Sequence, residues 1–353
     1  MNRKFYVSLL AFALTLLATV AFVVGHNTTS RAASTNAALA ALPASDFVIS
    51  IDAQRALNET LPSFLANNPA LLAKMNAKLE EFQRKTGVNL RSVESIAIGG
   101  RFNAAKRHDS NMVVIARGSF NADELVNTAF AAAKAKGEKI QKEEQQYEGK
   151  RIILITSTKS LKAEVETDKN TATTTLGAEP RRNKMAIAVL DSNTLAVGEL
   201  ESVNAAVDAS LGRNRVDDEL VRLATQTPNA VIGFSGKIPQ SFAEKASPNK
   251  VFEKYFASIR QFYGAFSANA AEAETSLTLR TETAEQANDI GQALNAIKSF
   301  SGFGFSRSGG SNSSKADSLA DIIKSLSITI QGNEVQLNLS IPQGSIAPLT
   351  RIF

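Results

Sequence analysis

The sequence predicts an α+β protein: antiparallel sheets built from repeated β-hairpin-plus-helix units, with the helices packed on one face. Three observations predict it. Strand-like runs occur in pairs joined by short polar turns, and helix-capping residues follow those pairs. Apolar spacing also changes from every second residue to every third or fourth between them. The hairpin, glycine, helix order recurs: Ala116-Arg-Gly-Ser-Phe120 precedes one helix and Ala196-Val-Gly-Glu-Leu200 another, while the run Glu274 to Thr281 leads into a third. Units of this kind form antiparallel sheets, because a hairpin turns the chain straight back on itself.

The elements follow in order. Pro43 introduces Phe47-Val-Ile-Ser-Ile51, a β-rich run, and a helical stretch continues to about Ala66. Asn68-Pro69 restarts the helix, with Asn68 as N-cap and Pro69 in the first turn. Leu72, Met75, Leu79 and Phe82 form its apolar stripe and Gly87 ends it, which predicts a long amphipathic helix over one sheet face. Strand-like runs Val93 to Phe102 and Met112 to Gly118 flank a basic tip, Lys106-Arg107-His108-Asp109. Asn121 and Glu124 then resemble a capping box.

A hairpin follows around Glu148-Gly149, and the polar stretch 157–183 reads as a mobile loop. Met185 to Leu190 and Thr194 to Val197 turn through Asp191-Ser-Asn193 into a helix near Ser202 to Leu211. In the second half, Asp217-Asp218 opens a helix, Val231-Ile-Gly-Phe234 is strand-like, and Thr283-Ala-Glu-Gln286 caps a helix. Leu326 to Gln331 and Val335 to Ile341 form a last hairpin at Gly332-Asn333, with one face apolar and one wet. The expected division is an export segment over 1–32, a spacer over 33–42, and α+β halves over 43–215 and 216–345. The second half carries a flexible Ser/Gly loop at 301–314, and a tail covers 346–353.

The export segment sets the compartment. Arg3 and Lys4 precede an apolar run from Phe5 to Val24, and no acidic residue occurs before Asp46. A basic start followed by an apolar run is how an export signal enters a membrane, so the expected location is extracytoplasmic, periplasmic or secreted. Ser30 and Ala32 suit cleavage after Ala32; left uncut, the apolar run is long enough to serve as a single N-terminal transmembrane anchor. Arg3, Lys4 and Arg31 supply three of the positive charges, and without them the net charge falls from +5 to +2. That small excess gives no reason to expect a nucleic-acid partner.

Cysteine is absent, which excludes disulfides, thiolate metal sites and cysteine nucleophiles, and two histidines rule out multi-histidine zinc sites in the folded part. No nucleophile-elbow, zincin, Walker or Rossmann motif occurs, so neither catalytic residues nor a metal or cofactor site is expected. Asp46 and Asp52 read as caps or turns, and the glycines at 99, 100, 233 and 236 as strand-twist or turn residues. The aromatics stand out. Phe252, Tyr255, Phe256, Phe262, Tyr263 and Phe266 crowd one segment, and Phe300, Phe303 and Phe305 punctuate the start of the Ser/Gly stretch. These nine are the candidate ligand or partner contacts.

Leu42-Pro-Ala-Ser-Asp46, Leu61-Pro-Ser-Phe-Leu65, Thr86-Gly-Val-Asn-Leu-Arg91 and Ala116-Arg-Gly-Ser-Phe120 together resemble a pattern in uncharacterised exported bacterial proteins. The resemblance spans about residues 42–212 and implies an N-terminal signal or anchor ahead of repeated α+β units. Its positions are structural and bring no catalytic residue. The expected function is a non-enzymatic interaction or scaffold module of the envelope, with an envelope protein as partner. The alternatives are a carrier or sensor of a lipid-like apolar ligand and, third, a hydrolase. The membrane enters as a partner only through an uncut N-terminal segment.

Overall fold

In the computed structural model, alternation along β1 (Phe47–Asp52) sends Val48 and Ser50 to one face of a sheet and Phe47, Ile49 and Ile51 to the other. The structure describes residues 36–102, 111–135, 140–157, 183–241, 255, 257–305 and 325–343. β1 pairs antiparallel on both sides, with β2 (Val93–Gly100) and with β8 (Ile232–Lys237). Beyond β2 follow β3 (Met112–Gly118), β7 (Thr194–Gly198), β6 (Asn183–Asp191), β5 (Lys150–Ser157) and β4 (Ile140–Tyr147). Beyond β8 follow β9 (Ile259–Ala268), β10 (Glu272–Thr281), β12 (Glu334–Pro342) and β11 (Ser327–Gln331). Among the described residues the result is a 12-stranded sheet in which every neighbouring pair is antiparallel.

The expected α+β class and the hairpin-plus-helix units are present. β2 and β3 lead into α4 (Ala122–Ala135), β6 and β7 into α5 (Leu200–Ser210), and β9 and β10 into α7 (Ala284–Phe305). The expectation of helices on one face is corrected: they flank both. On the back face, Val203, Ala206 and Val207 of α5 pack on Ala97, Ala186, Ala188 and Ala196, whose small side chains let the helix approach closely. Leu220 and Ala224 of α6 (Asp218–Thr225) join the same cluster together with Leu39 and Leu42. On the front face, Val126 of α4 packs on Ile153 and Leu195, and α7 places Ala287 and Ile290 against Val335 and Leu337. The central strands are apolar on both sides, as in Ile96-Ala97-Ile98 and Ile187-Ala188-Val189, so both faces need cover.

Helical residues 53–64 run through α1 (Ala53–Arg55), a π-helical turn and α2 (Leu61–Phe64), placing Ala53 and Ala56 on the front of β1 and β2. The long amphipathic helix α3 (Pro69–Thr86) does not cover the sheet as expected. None of its residues is buried, and Leu71, Leu72, Met75 and Leu79 pack on Leu57, Leu61 and Leu65 of the layer beneath. Its length and caps are as read: Asn68 Oδ1 accepts from Leu71 N at 3.2 Å and Gly87 adopts φ 74°. Arg91 ties α3 to that layer by donating to Leu57 O at 3.0 Å and Asn76 Oδ1 at 3.0 Å.

Other local readings hold. Asp52 Oδ1 caps α1 through Arg55 N at 2.7 Å, and Asp46 Oδ2 accepts from Phe102 N at 2.8 Å. Thr283 and Gln286 exchange side-chain-to-backbone bonds, each 3.3 Å, in a capping box. One reading changes: α7 continues to Phe305, so 301–305 are helical where a Ser/Gly loop was expected. Residues 259–268, to which the sequence assigns no element, are strand β9. The basic tip, nearly all of stretch 157–183, the remainder of the Ser/Gly stretch and the export segment lie outside the described residues. Among the described residues no helix is long and apolar enough to cross a membrane.

Gly233 shows how tightly α6 sits on β8. A Cβ there would lie 1.7 Å from Ala224 O, a backbone atom that cannot swing away. Gly233→Ala therefore lifts α6 and is expected to cost about 1–3 kcal/mol by overpacking. Urea unfolding checks this, and an unchanged midpoint would contradict the contact.

Candidate functional site

The front face carries the feature best suited to contact another molecule. Four phenylalanines form a strip across β2, β1, β8 and β9, and none is buried. Phe102, just past β2, lies with its ring centroid 5.3 Å from that of Phe47. Phe234 and Phe262 stand 6.4 Å apart. Glycines make room between them. A Cβ on Gly236 would lie 2.5 Å from the Phe262 ring and 3.1 Å from Phe47 Cβ, so both side chains converge over that glycine. A Cβ on Gly100 would likewise lie 2.7 Å from the Phe47 ring, and one on Gly264 2.6 Å from the Phe234 ring. Rings laid over strand glycines shield backbone that would otherwise be bare. These glycines serve close approach within strands, and none of the three has positive φ.

Of the nine residues singled out in the sequence, Phe262 belongs to this strip. Strand alternation divides its neighbours. Phe266 is on the same front face and packs on the cluster containing Ile51 and Ile232, whereas Tyr263 points to the back. Tyr255 packs half-buried against the cluster under α7. Phe300, Phe303 and Phe305 belong to the last turns of α7, while Phe252 and Phe256 lie outside the described residues. Phe47, Phe102 and Phe234 were missed. Phe102 and Phe234 lie near glycines in sequence and Phe47 does not; the cross-strand glycines beneath Phe47 and Phe234 become visible only once register is known.

The back face carries a polar row at the same end of the sheet. Register aligns Lys237, Gln261, Arg280 and Glu334 across β8, β9, β10 and β12. Arg280 donates to Glu334 Oε1 at 2.8 Å and Gln261 Oε1 at 2.6 Å, and Tyr263 OH donates to Glu334 Oε1 at 2.9 Å. The guanidinium stands 5.4 Å from the Tyr263 ring centroid. The start of α6 roofs the row, with Lys237 Nζ 2.6 Å from Asp217 and 3.1 Å from Glu219. Gln261 Nε2 is buried without a well-formed hydrogen bond, although it helps hold Glu219 ionised.

Hydrogen bonds from Lys237 hold the Asp217 and Glu219 carboxyls below their ordinary range, and Asp217 holds the Lys237 ammonium above its own. Burial pushes the Tyr263 phenol up, and its bond to Glu334 adds to that. Carboxylates held ionised by a fixed cation are poor proton donors near neutrality, so the row binds α6 to the sheet more readily than it runs acid catalysis. A shallow cleft of about 190 Å³ beside α3 is lined by Asn76, Glu80, Gln83 and Arg91, the last already engaged as described. Among the described residues no three His, Cys, Asp or Glu side chains are grouped to hold a metal ion.

No protein-family model matches the chain, and no curated protein matches it in sequence. Among solved structures it is similar to crystal form III of TP0453, with TM-score 0.43 and 10% identity over 89% of this chain and 98% of that one. Crystal form IV of TP0453 gives TM-score 0.44 and 10% identity over 88% and 95%. Likeness this distant says nothing of activity.

The polar row predicts a pH signature. Asp217 and Glu219 titrate lower folded than unfolded, where Asp and Glu have pKa values of about 3.9 and 4.3. Their contribution is therefore complete above that range and lost as pH falls beneath it. Melting curves of the protein and of Lys237→Met should differ at pH 7 and converge toward pH 3. A gap that stays constant would mean Lys237 is not what holds those carboxylates.

Proposed function

We propose that this protein is a non-enzymatic interaction module of the extracytoplasmic envelope, which receives the apolar surface of another envelope protein on its front aromatic strip. The observation that carries the reading is the strip itself: Phe102, Phe47, Phe262 and Phe234, half-buried and contiguous, with Phe47, Phe262 and Phe234 each held over a glycine of a neighbouring strand. Rings on a rigid sheet lose little conformational freedom on contact, which makes them efficient anchors. The strip lies flat across strands, a shape that suits a protein surface better than it suits enclosure of a small ligand. Extracytoplasmic placement rests on Arg3, Lys4 and the apolar run Phe5 to Val24, and the resemblance to exported bacterial proteins agrees with it.

Phe234→Ser with Phe262→Ser tests the reading. Each ring is only half-buried, so each change should cost about 1 kcal/mol of stability and leave the fold intact. A photo-crosslinking residue at position 262, activated in the native envelope, should join a defined protein, and Phe234→Ser should abolish that product. Mass spectrometry of organic extracts from the same preparation supplies the opposing outcome. A stoichiometric lipid, released by the Phe234→Ser change, would overturn the protein-partner reading in favour of a carrier.

A further inference from the structure

Among the described residues, the two outer strands of the sheet are built differently. β4 presents Lys142, Glu143 and Glu144, charges of the kind that keep a sheet edge from pairing with another chain. β11 presents Ser327-Ile-Thr-Ile-Gln331, with no charge and no proline, and its register against β12 runs without a bulge. Four of its five residues are exposed, including Ile330 at 39%. None of the usual devices that blunt an edge is present in this strand.

Hairpin geometry says which backbone groups that edge offers. Gly332 and Asn333 form a two-residue turn, with Gln331 paired to Glu334. The residues flanking such a turn are the first bonded pair, so Gln331, Thr329 and Ser327 direct their N–H and C=O groups to β12. Ile328 and Ile330 consequently direct theirs outward. Their side chains lie on the front face, where Ile328 packs into the cluster beneath α7. Ile330 fills the space that a Cβ on Gly291 would take, at 2.5 Å, and still leaves part of its surface bare.

We infer that β11 is a self-pairing strand and that its partner is β11 of a second copy of this chain, antiparallel about a two-fold axis at Thr329. The sequence reads polar, apolar, polar, apolar, polar, so reversal maps like onto like. Two-fold pairing sets Ile328 of each copy opposite Ile330 of the other, and these pairs exchange the outward hydrogen bonds. Thr329 meets Thr329 as the non-bonded pair, and Ser327 meets Gln331. The uncovered part of Ile330 is then closed by the opposite Ile328, and no charge is buried. Five residues a side make less contact than a permanent dimer has, so the association is reversible. It is independent of the aromatic strip, which lies on other strands.

The absence of cysteine makes the test direct, because one introduced thiol in the full chain has no partner within its own chain. Thr329→Cys should give a disulfide-linked dimer under mild oxidation, since Cα atoms of a non-bonded antiparallel pair stand about 4.5 Å apart. Ser327→Cys should not, because its equivalents would be roughly 13 Å apart in this register. Adding Ile330→Lys to Thr329→Cys should reduce the crosslinked fraction at least tenfold, with far-UV circular dichroism confirming the fold. Failure of Thr329→Cys to crosslink would overturn the proposal. So would equal crosslinking of Ser327→Cys, or indifference to Ile330→Lys in a folded variant. Crosslinking of Thr329→Cys variants to a different protein's thiol instead would reassign the edge to an unlike partner and equally overturn it.

Discussion

The position of β1 at the middle of the sheet is the constraint on which the rest depends. It is the first strand among the described residues, yet it pairs with β2 on one side and with β8, more distant in sequence, on the other. That second ladder joins the strands contributed by the two halves of the chain. The segment before β1 strengthens the joint: Ala44 N donates to Asn214 O at 2.8 Å, Val216 N to Leu42 O at 3.0 Å, and Lys237 N to Asp46 O at 2.7 Å. The strand is buried within the sheet, so its backbone groups have no solvent to turn to if either ladder opens.

The joint explains why both faces carry helices. A strand flanked on both edges and apolar on both sides must be covered twice, by α6 behind, with Leu39 and Leu42 in the same cluster, and by α1 in front. Ser235 shows the same demand in miniature. Buried on the back of β8, it donates its hydroxyl to Leu220 O of α6 at 2.6 Å and so turns a polar side chain into a tie between helix and sheet. The aromatic strip depends on the joint too. Phe102 and Phe47 come from the β2 and β1 side, Phe234 and Phe262 from the β8 and β9 side, and they meet because the β1–β8 ladder fixes Phe47 opposite Gly236. A slip of one residue in that ladder would put Phe234 and Phe262 on the face opposite to Phe47 and Phe102.

Local signals were legible in the sequence wherever one residue type does one job. Asn68, Asp52, Thr283 and Gly87 act within a few residues of themselves, and their caps appear where the spacing placed them. The turns at Glu148-Gly149 and Gly332-Asn333 were visible for the same reason. β9 was not, because Ile259-Arg-Gln-Phe-Tyr-Gly-Ala-Phe reads as an aromatic cluster and lacks clean alternation between apolar and polar residues. Its two-sided surroundings, aromatic in front and ion-paired behind, come from strands far away in sequence. The amphipathic stripe of α3 was correctly placed, but a stripe specifies an apolar neighbour and leaves open whether that is a sheet or another helix. The same limit hid three of the four rings of the strip, since Phe234 over Gly264 is a fact of register.

Hydrogen exchange read by mass spectrometry along a denaturant series tests the central claim, that β1 binds both halves into one cooperative sheet. Peptides from β1, β2, β8 and β9 should exchange together, at the free energy of global unfolding and with the same denaturant dependence. Exchange of β8 and β9 in an earlier transition, with β1 and β2 still protected, would contradict the account and make the β1–β8 ladder a contact between independently stable halves.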